Sequence, residues 1–76
     1  MIDEHDRVVL TGDIAHASLK AGDIGTAVHV YSQGKAFEVE FVALDGETLA
    51  VVTVEASQLR PVGKGEIANA RRLAGV

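Results

Sequence analysis

Apolar and polar residues alternate with a period of two over most of this chain, and each alternating run ends in turn-forming residues. That pattern predicts short β-strands rather than helices. The first run is Asp6-Arg7-Val8-Val9-Leu10-Thr11, closed by Gly12-Asp13. The second covers about residues 25–31 and the third about 36–43; the polar loop Ser32-Gln33-Gly34-Lys35 between them predicts a hairpin. Setting Tyr31 opposite Ala36 pairs Val30 with Phe37, Val28 with Val39 and Thr26 with Phe41 on one face, while His29 with Glu38 and Ala27 with Glu40 fall on the other. One face is apolar and the other mostly polar, as in a sheet with one buried side. Leu44-Asp45-Gly46-Glu47 follows, and its Asp-Gly pair suits a type I′ turn with positive φ at both central residues. The fourth run is Thr48-Leu49-Ala50-Val51-Val52-Thr53-Val54. Glu55-Ala56-Ser57-Gln58 then reads as a single helical turn, and Leu59-Arg60-Pro61-Val62 as a last short strand placed at an edge by its proline.

Three stretches carry other information. Gly22 and Gly25 surround the entrance to the second strand, where a glycine marks either a bulge or a close approach of two backbones. Residues 13–21 show no clean period and predict a surface loop, anchored to the core by Ile14 and Leu19. In residues 63–76 Ile67, Ala70 and Leu73 or Ala74 recur at helical spacing, with Glu66 near the start and Arg71-Arg72 near the end, each favourable to a helix dipole. Two turns are stable only where something receives their apolar face. The expected architecture is all-β: a small five-stranded barrel over residues 1–62, and a tail over residues 63–76 that forms a short amphipathic helix or stays irregular.

At 76 residues the chain holds one domain, and a domain of this size buries roughly 60% of the surface its unfolded chain exposes. Help from a partner is therefore plausible. No cysteine is present, so disulfides and thiolate metal sites are excluded, which fits a reducing cytoplasm. The first residues lack the basic and apolar regions of a secretory signal, and no run is long enough to span a bilayer, so a cytoplasmic protein is expected. Charge is unevenly placed: residues 1–59 carry three Lys/Arg against ten Asp/Glu, residues 60–76 four against one. The acidic body disfavours binding to phosphate backbones.

The succession Asp6-Arg7-Val8-Val9-Leu10, Leu19-Lys20-Ala21-Gly22-Asp23-Ile24-Gly25-Thr26, Phe37-Glu38-Val39-Glu40-Phe41, Asp45-Gly46-Glu47-Thr48 and Gln58-Leu59-Arg60-Pro61-Val62 resembles a bacterial family, domain of unknown function 4926, over roughly residues 5–62. The resemblance implies an SH3-like small barrel, similar in outline to the KOW-type modules of ribosomal and transcription proteins and to the C-terminal barrel of the nitrile hydratase β subunit. It implies no activity, so no functional residue is carried over. The KOW likeness is confined to Gly-Asp-x-Gly-Thr-x-Val, and the basic loops of those RNA binders are absent.

Candidate chemistry is sparse. His5 with Asp3, Glu4 and Asp6, or His29 with Glu38, offers metal-ligand atom types, but the first group sits at a terminus prone to fray and the second is an ordinary cross-strand pair. Glu38 and Glu40 lie two apart on an outward strand face, and Asp45 and Glu47 flank an exposed turn; these read as solvated carboxylates. No serine or threonine has a histidine and carboxylate behind it, and a barrel this small is filled by its own side chains. The Gly22/Gly25 turn lacks the spacing, helix and lysine of a phosphate loop. No enzyme, metal or cofactor is expected.

The fourth strand carries the functional weight. With a two-residue turn before it, Ala50, Val52 and Val54 face inward and Leu49, Val51 and Thr53 lie outside beside Val42; a bulge that shifts the register would instead turn Ala50, Val52 and Val54 outward. Either way the outer face is apolar. It is covered by the tail, with Ile67 and Leu73 as lids, or by a partner. The expected function is a noncatalytic binding or assembly module that self-associates or docks on a protein partner, in the manner of an accessory subunit or an antitoxin- or immunity-like protein, with Val42, Leu49 and Val51 as anchors. The alternative is a weak nucleic-acid module built on Lys35, Lys64, Arg71 and Arg72 beside Tyr31.

Overall fold

A computed structural model describes residues 1–73. It is all-β: β1 (Arg7–Leu10), β2 (Ile24–Tyr31), β3 (Ala36–Val42), β4 (Thr48–Glu55) and β5 (Leu59–Pro61) form one antiparallel sheet in the order β4-β3-β2-β1-β5. A 3₁₀ turn over Ala56–Gln58 occupies the expected helical turn and carries the chain from one edge strand to the other. The barrel is not closed, because β4 and β5 do not pair with each other. The sheet instead coils around side chains from all five strands, including Val8, Leu10, Ala27, Phe37, Val39, Phe41, Val54 and Leu59. Ile14 and Leu19 join that core, as expected of the two apolar anchors of the loop before β2, which holds a 3₁₀ turn over Ala15–Ala17 and an Ile14–Leu19 bridge.

The β2–β3 hairpin departs from the simple register. Tyr31, Val30 and His29 pair with Ala36, Phe37 and Glu38 as expected, but Val28 is then bulged out, so that Ala27 meets Val39 and Thr26 meets Glu40. The bulge turns the small Ala27 into the core, fully buried, while Val28 is only partly covered. Gly25 explains why a small residue is wanted there. It is buried, and a methyl group on it would lie 2.6 Å from Val39 Cγ1, 2.9 Å from the Glu40 carbonyl oxygen and 2.9 Å from Phe41 Cε1. Of the two roles open to this glycine, close backbone approach is the one it plays.

Turn chemistry also falls differently from its expected places. Gly46 has a φ of 96° but Asp45 is not left-handed, and Gly46 N–H donates to Ala43 C=O at 2.8 Å while Ala43 N–H donates to Glu47 C=O at 2.8 Å. This is a three-residue loop with a glycine bulge, not a type I′ turn. The left-handed pair lies in the other hairpin, at Ser32 and Gln33, with φ of 48° and 58°. The N-terminal segment is held as well: Ala27 N–H donates to Asp6 C=O at 2.9 Å, Asp3 N–H donates to Asp6 Oδ2 at 2.8 Å, and Ile2 packs against the core. Residues 63–73 contain no helix, and residues 74–76, the end of the expected tail helix, lie outside the described residues.

Gly25→Ala should destabilise the domain by about 1–3 kcal/mol or more, because one of the three clashing atoms is backbone and cannot rotate away. Gln33→Gly should stabilise it by about 1 kcal/mol through relief of left-handed strain. Thermal unfolding of both variants checks these opposite signs.

Candidate functional site

Register decides which side chains of β3 and β4 reach solvent. Phe37, Val39 and Phe41 pair with Val54, Val52 and Ala50 and line the inside, the inward set expected from a two-residue turn, although the turn is a three-residue loop and it is the bulge at Leu49 that restores this parity. Ala36, Glu38, Glu40 and Val42 of β3, with Val51, Thr53 and Glu55 of β4, take the outer face by strand alternation. On β2, His29 and Tyr31 continue that face, with their rings edge to face at 4.5 Å.

The outer face separates into two zones. Its centre is polar: Thr53 Oγ1 donates to Glu38 Oε1 at 2.6 Å, the Tyr31 hydroxyl donates to the same oxygen at 3.4 Å, and Thr48 Oγ1 donates to Glu40 Oε2 at 3.0 Å. Both carboxylates are thus engaged by hydroxyl donors, an arrangement that fixes the side chains and supplies no acid–base pair in a water-poor cleft. The exposed apolar side chains of this face are Val51 of β4 and Val42 of β3. Val51 is 50% exposed and Val42 43% exposed, with Leu49 partly buried at the bulge within β4.

The tail does not cover this face. Arg60 on β5 donates Nη1 to Glu66 Oε1 at 2.7 Å and Nη2 to Glu66 Oε2 at 2.6 Å, and the Gly63 N–H donates to the same carboxylate. Arg71 then grips Asp23, just before β2, through Nε–Oδ1 at 2.8 Å and a second bond from Nη2, and also reaches the Ser18 carbonyl at 3.3 Å. Two forked arginine–carboxylate pairs therefore hold residues 63–73 beside β5 and the start of β2, away from β4. Ile67 is 91% exposed and so is no lid on β4, and Leu73, two residues beyond the Asp23-bound Arg71, is partly buried.

Electrostatics follow this geometry. The Arg60 guanidinium and then the Gly63 N–H hold the Glu66 carboxyl down at about 2, from an ordinary 4.5. For Asp23, burial pushes the carboxyl up, but the Arg71 hydrogen bond and the Lys20 N–H together outweigh it and the net shift is downward. Arg60 and Arg71 are raised in turn by the hydrogen bonds to their carboxylates.

The remaining sequence candidates are scattered. Lys35 lies in the β2–β3 turn, Lys64 in the turn after β5, Arg71 is bound to Asp23, and Arg72 is exposed on the tail. Tyr31 faces a carboxylate rather than a basic surface. His29 pairs across strands with Glu38, and no group of three metal-ligating side chains gathers among the described residues. An open cleft of about 590 Å³, absent from the sequence expectation, lies where Ile2, Val30, Phe37, Ala56 and Pro61 meet, rimmed by Asp3, Glu4 and Gln33. The N-terminal fold-back builds one wall of it, a long-range feature that periodicity does not carry. No helix among the described residues is long and apolar enough to cross a membrane.

The strand order, the glycine-dependent β2–β3 contact and the Leu59–Pro61 edge all lie within a stretch matched by one family model, domain of unknown function (DUF4926), over residues 4–61. The chain belongs to that family. The DUF4926 match ends at Pro61, so Arg60 and Asp23 lie inside it and their tail partners Glu66 and Arg71 lie beyond it. No curated protein and no solved structure matches the chain significantly.

A carboxyl held low by a partner favours the docked tail fully above its ordinary value and loses that effect as pH falls from 4.5 toward 2. The tail should therefore stay docked at neutral pH and loosen in acid, seen as changed amide shifts at Ile67. Arg60→Ala should return the Glu66 titration toward 4.5 in a carboxyl-carbon NMR titration; an unmoved titration would refute the pairing.

Proposed function

We propose that this DUF4926 chain is a noncatalytic assembly module that binds protein, in the first place a second copy of itself, through the outer margin of β4. The single observation that carries the reading is the exposure of Val42 and Val51, with the partly buried Leu49 at the bulge, on a face that the chain's own tail leaves open. Contiguous apolar surface on a small domain is favourable to bury and characterises interfaces more than free surfaces. Val51 is the central anchor, flanked by Val42 and Leu49, and the hydroxyl-bound Glu38 and Glu40 form the polar rim. A small fold with limited core stands to gain stability from such burial.

Other features support the same reading. The carboxylates are exposed and hydroxyl-bonded, the basic side chains are dispersed or paired, and the body is acidic, which is poor material for holding a phosphate backbone. The cysteine-free chain suits a reducing cytoplasm.

Val51→Asp should leave the circular dichroism spectrum intact and weaken self-association at least about tenfold by light scattering, the scale of losing one central interface anchor. A wild-type chain that stays monomeric up to millimolar concentration would contradict self-association.

A further inference from the structure

The fourth strand has an unmet requirement besides its apolar face. β4 is eight residues long and is paired on one side only. Ala56 N–H donates to Lys35 C=O at 3.0 Å, and the Phe37–Val54, Val39–Val52 and Phe41–Ala50 pairs continue with the same parity. Antiparallel neighbours exchange hydrogen bonds at every second pair, so the N–H and C=O groups of Ala50, Val52 and Val54 turn toward β3. Those of Val51, Thr53 and Glu55 turn the other way, where no strand lies among the described residues.

Edges are ordinarily blunted by shortness, proline or charge. β5 has all three: it is three residues long, ends in Pro61, and carries Arg60 tied to Glu66. β4 has no lysine or proline, and beyond the bulge at Leu49 its ladder is regular from Ala50 to Glu55. A row of outward backbone groups asks for an extended strand as its occupant, not a helix or a small molecule.

Resting on the reading of β4 as an interface, we infer that the occupant is β4 of a second copy, added antiparallel along this edge so that two five-stranded sheets become one. Outward groups must meet outward groups, so odd-numbered residues pair with odd. Centring the contact on Val52 sets Val51 opposite Thr53 of the second copy, in both directions, and uses the strand over nearly its whole length. Centring it on Val51 brings Glu55 opposite Glu47, and a parallel arrangement in register sets the two Glu55 side chains side by side. Like charges directly opposite destabilise a sheet, and of the registers free of opposed carboxylates the one about Val52 pairs more of the strand than the one about Thr53, which sets Val51 opposite Glu55 and spans only residues 51–55.

The test is residue-resolved amide hydrogen exchange of the full chain at low and high concentration, with light scattering on the same samples. The Val51 and Thr53 amides should slow about tenfold in the dimer beyond any change at Val52, whose N–H is already engaged. Thr53→Pro removes an outward N–H and no backbone bond to β3, so it should give a folded monomer at concentrations where the wild type is dimeric, whereas Thr53→Val, which loses the same hydroxyl bond to Glu38 but keeps the N–H, should stay dimeric. A dimer whose Val51 and Thr53 amides exchange as in the monomer, or a folded Thr53→Pro dimer, overturns strand addition while leaving association through the Val51 side chain standing. A wild type that is monomeric at every concentration overturns both.

Discussion

The fold depends on how closely β2 can lie across β3, and Gly25 sets that distance. With no side chain at this position, the Val39 methyl, the Phe41 ring and the Glu40 carbonyl occupy the space that any other residue would take. The neighbouring bulge at Val28 places Ala27, the smallest chiral residue, at the next inward position, so the crowded corner is met by two small groups in succession. Phe37, Val39 and Phe41 can then form the floor on which β1, β4 and the Ile14–Leu19 loop rest. Close packing of this kind leaves little room to relax, which is why a single added methylene is felt across a small core.

The tail illustrates a different kind of control. Its helical spacing is real, but the arginines that favour a helix C-terminus find stronger partners elsewhere. Arg71 forks onto Asp23, 48 residues away, and Glu66 is drawn back by Arg60. Each of these planar pairs fixes two hydrogen bonds in one geometry, whereas a two-turn helix with an exposed Ile67 has no surface to bury. Residues 63–73 follow the ion pairs and stay irregular.

Strand positions, the two hairpins and the anchoring of Ile14 and Leu19 were legible because alternation and turn residues are local signals. The bulge at Val28 was not, since Ala27 and Val28 are both apolar and alternation cannot say which of them turns inward. Nor was the open barrel, because pairing between β4 and β5 depends on how far the Ala56–Gln58 turn swings the chain. In the candidate site, the outward set of β4 matches the two-residue register only because the extra loop residue and the bulge at Leu49 cancel, a compensation that no local signal carries. The hydroxyl grip on Glu38 and Glu40 depends on three strands meeting and leaves no mark in any one of them. Asp45-Gly46 predicts the type I′ turn, yet the left-handed pair falls on Ser32-Gln33 in the four-residue connection between β2 and β3.

The contrast between the two margins of the sheet has a consequence for solubility. A ribbon with two receptive sides can recruit neighbours without limit, which is the route to fibrils. Here Pro61 and the brevity of β5 leave one side unable to accept a strand, so any growth through hydrogen bonding ends after a single addition. The open border at β4 thus faces, across the sheet, a border that shortness and proline close to strand addition.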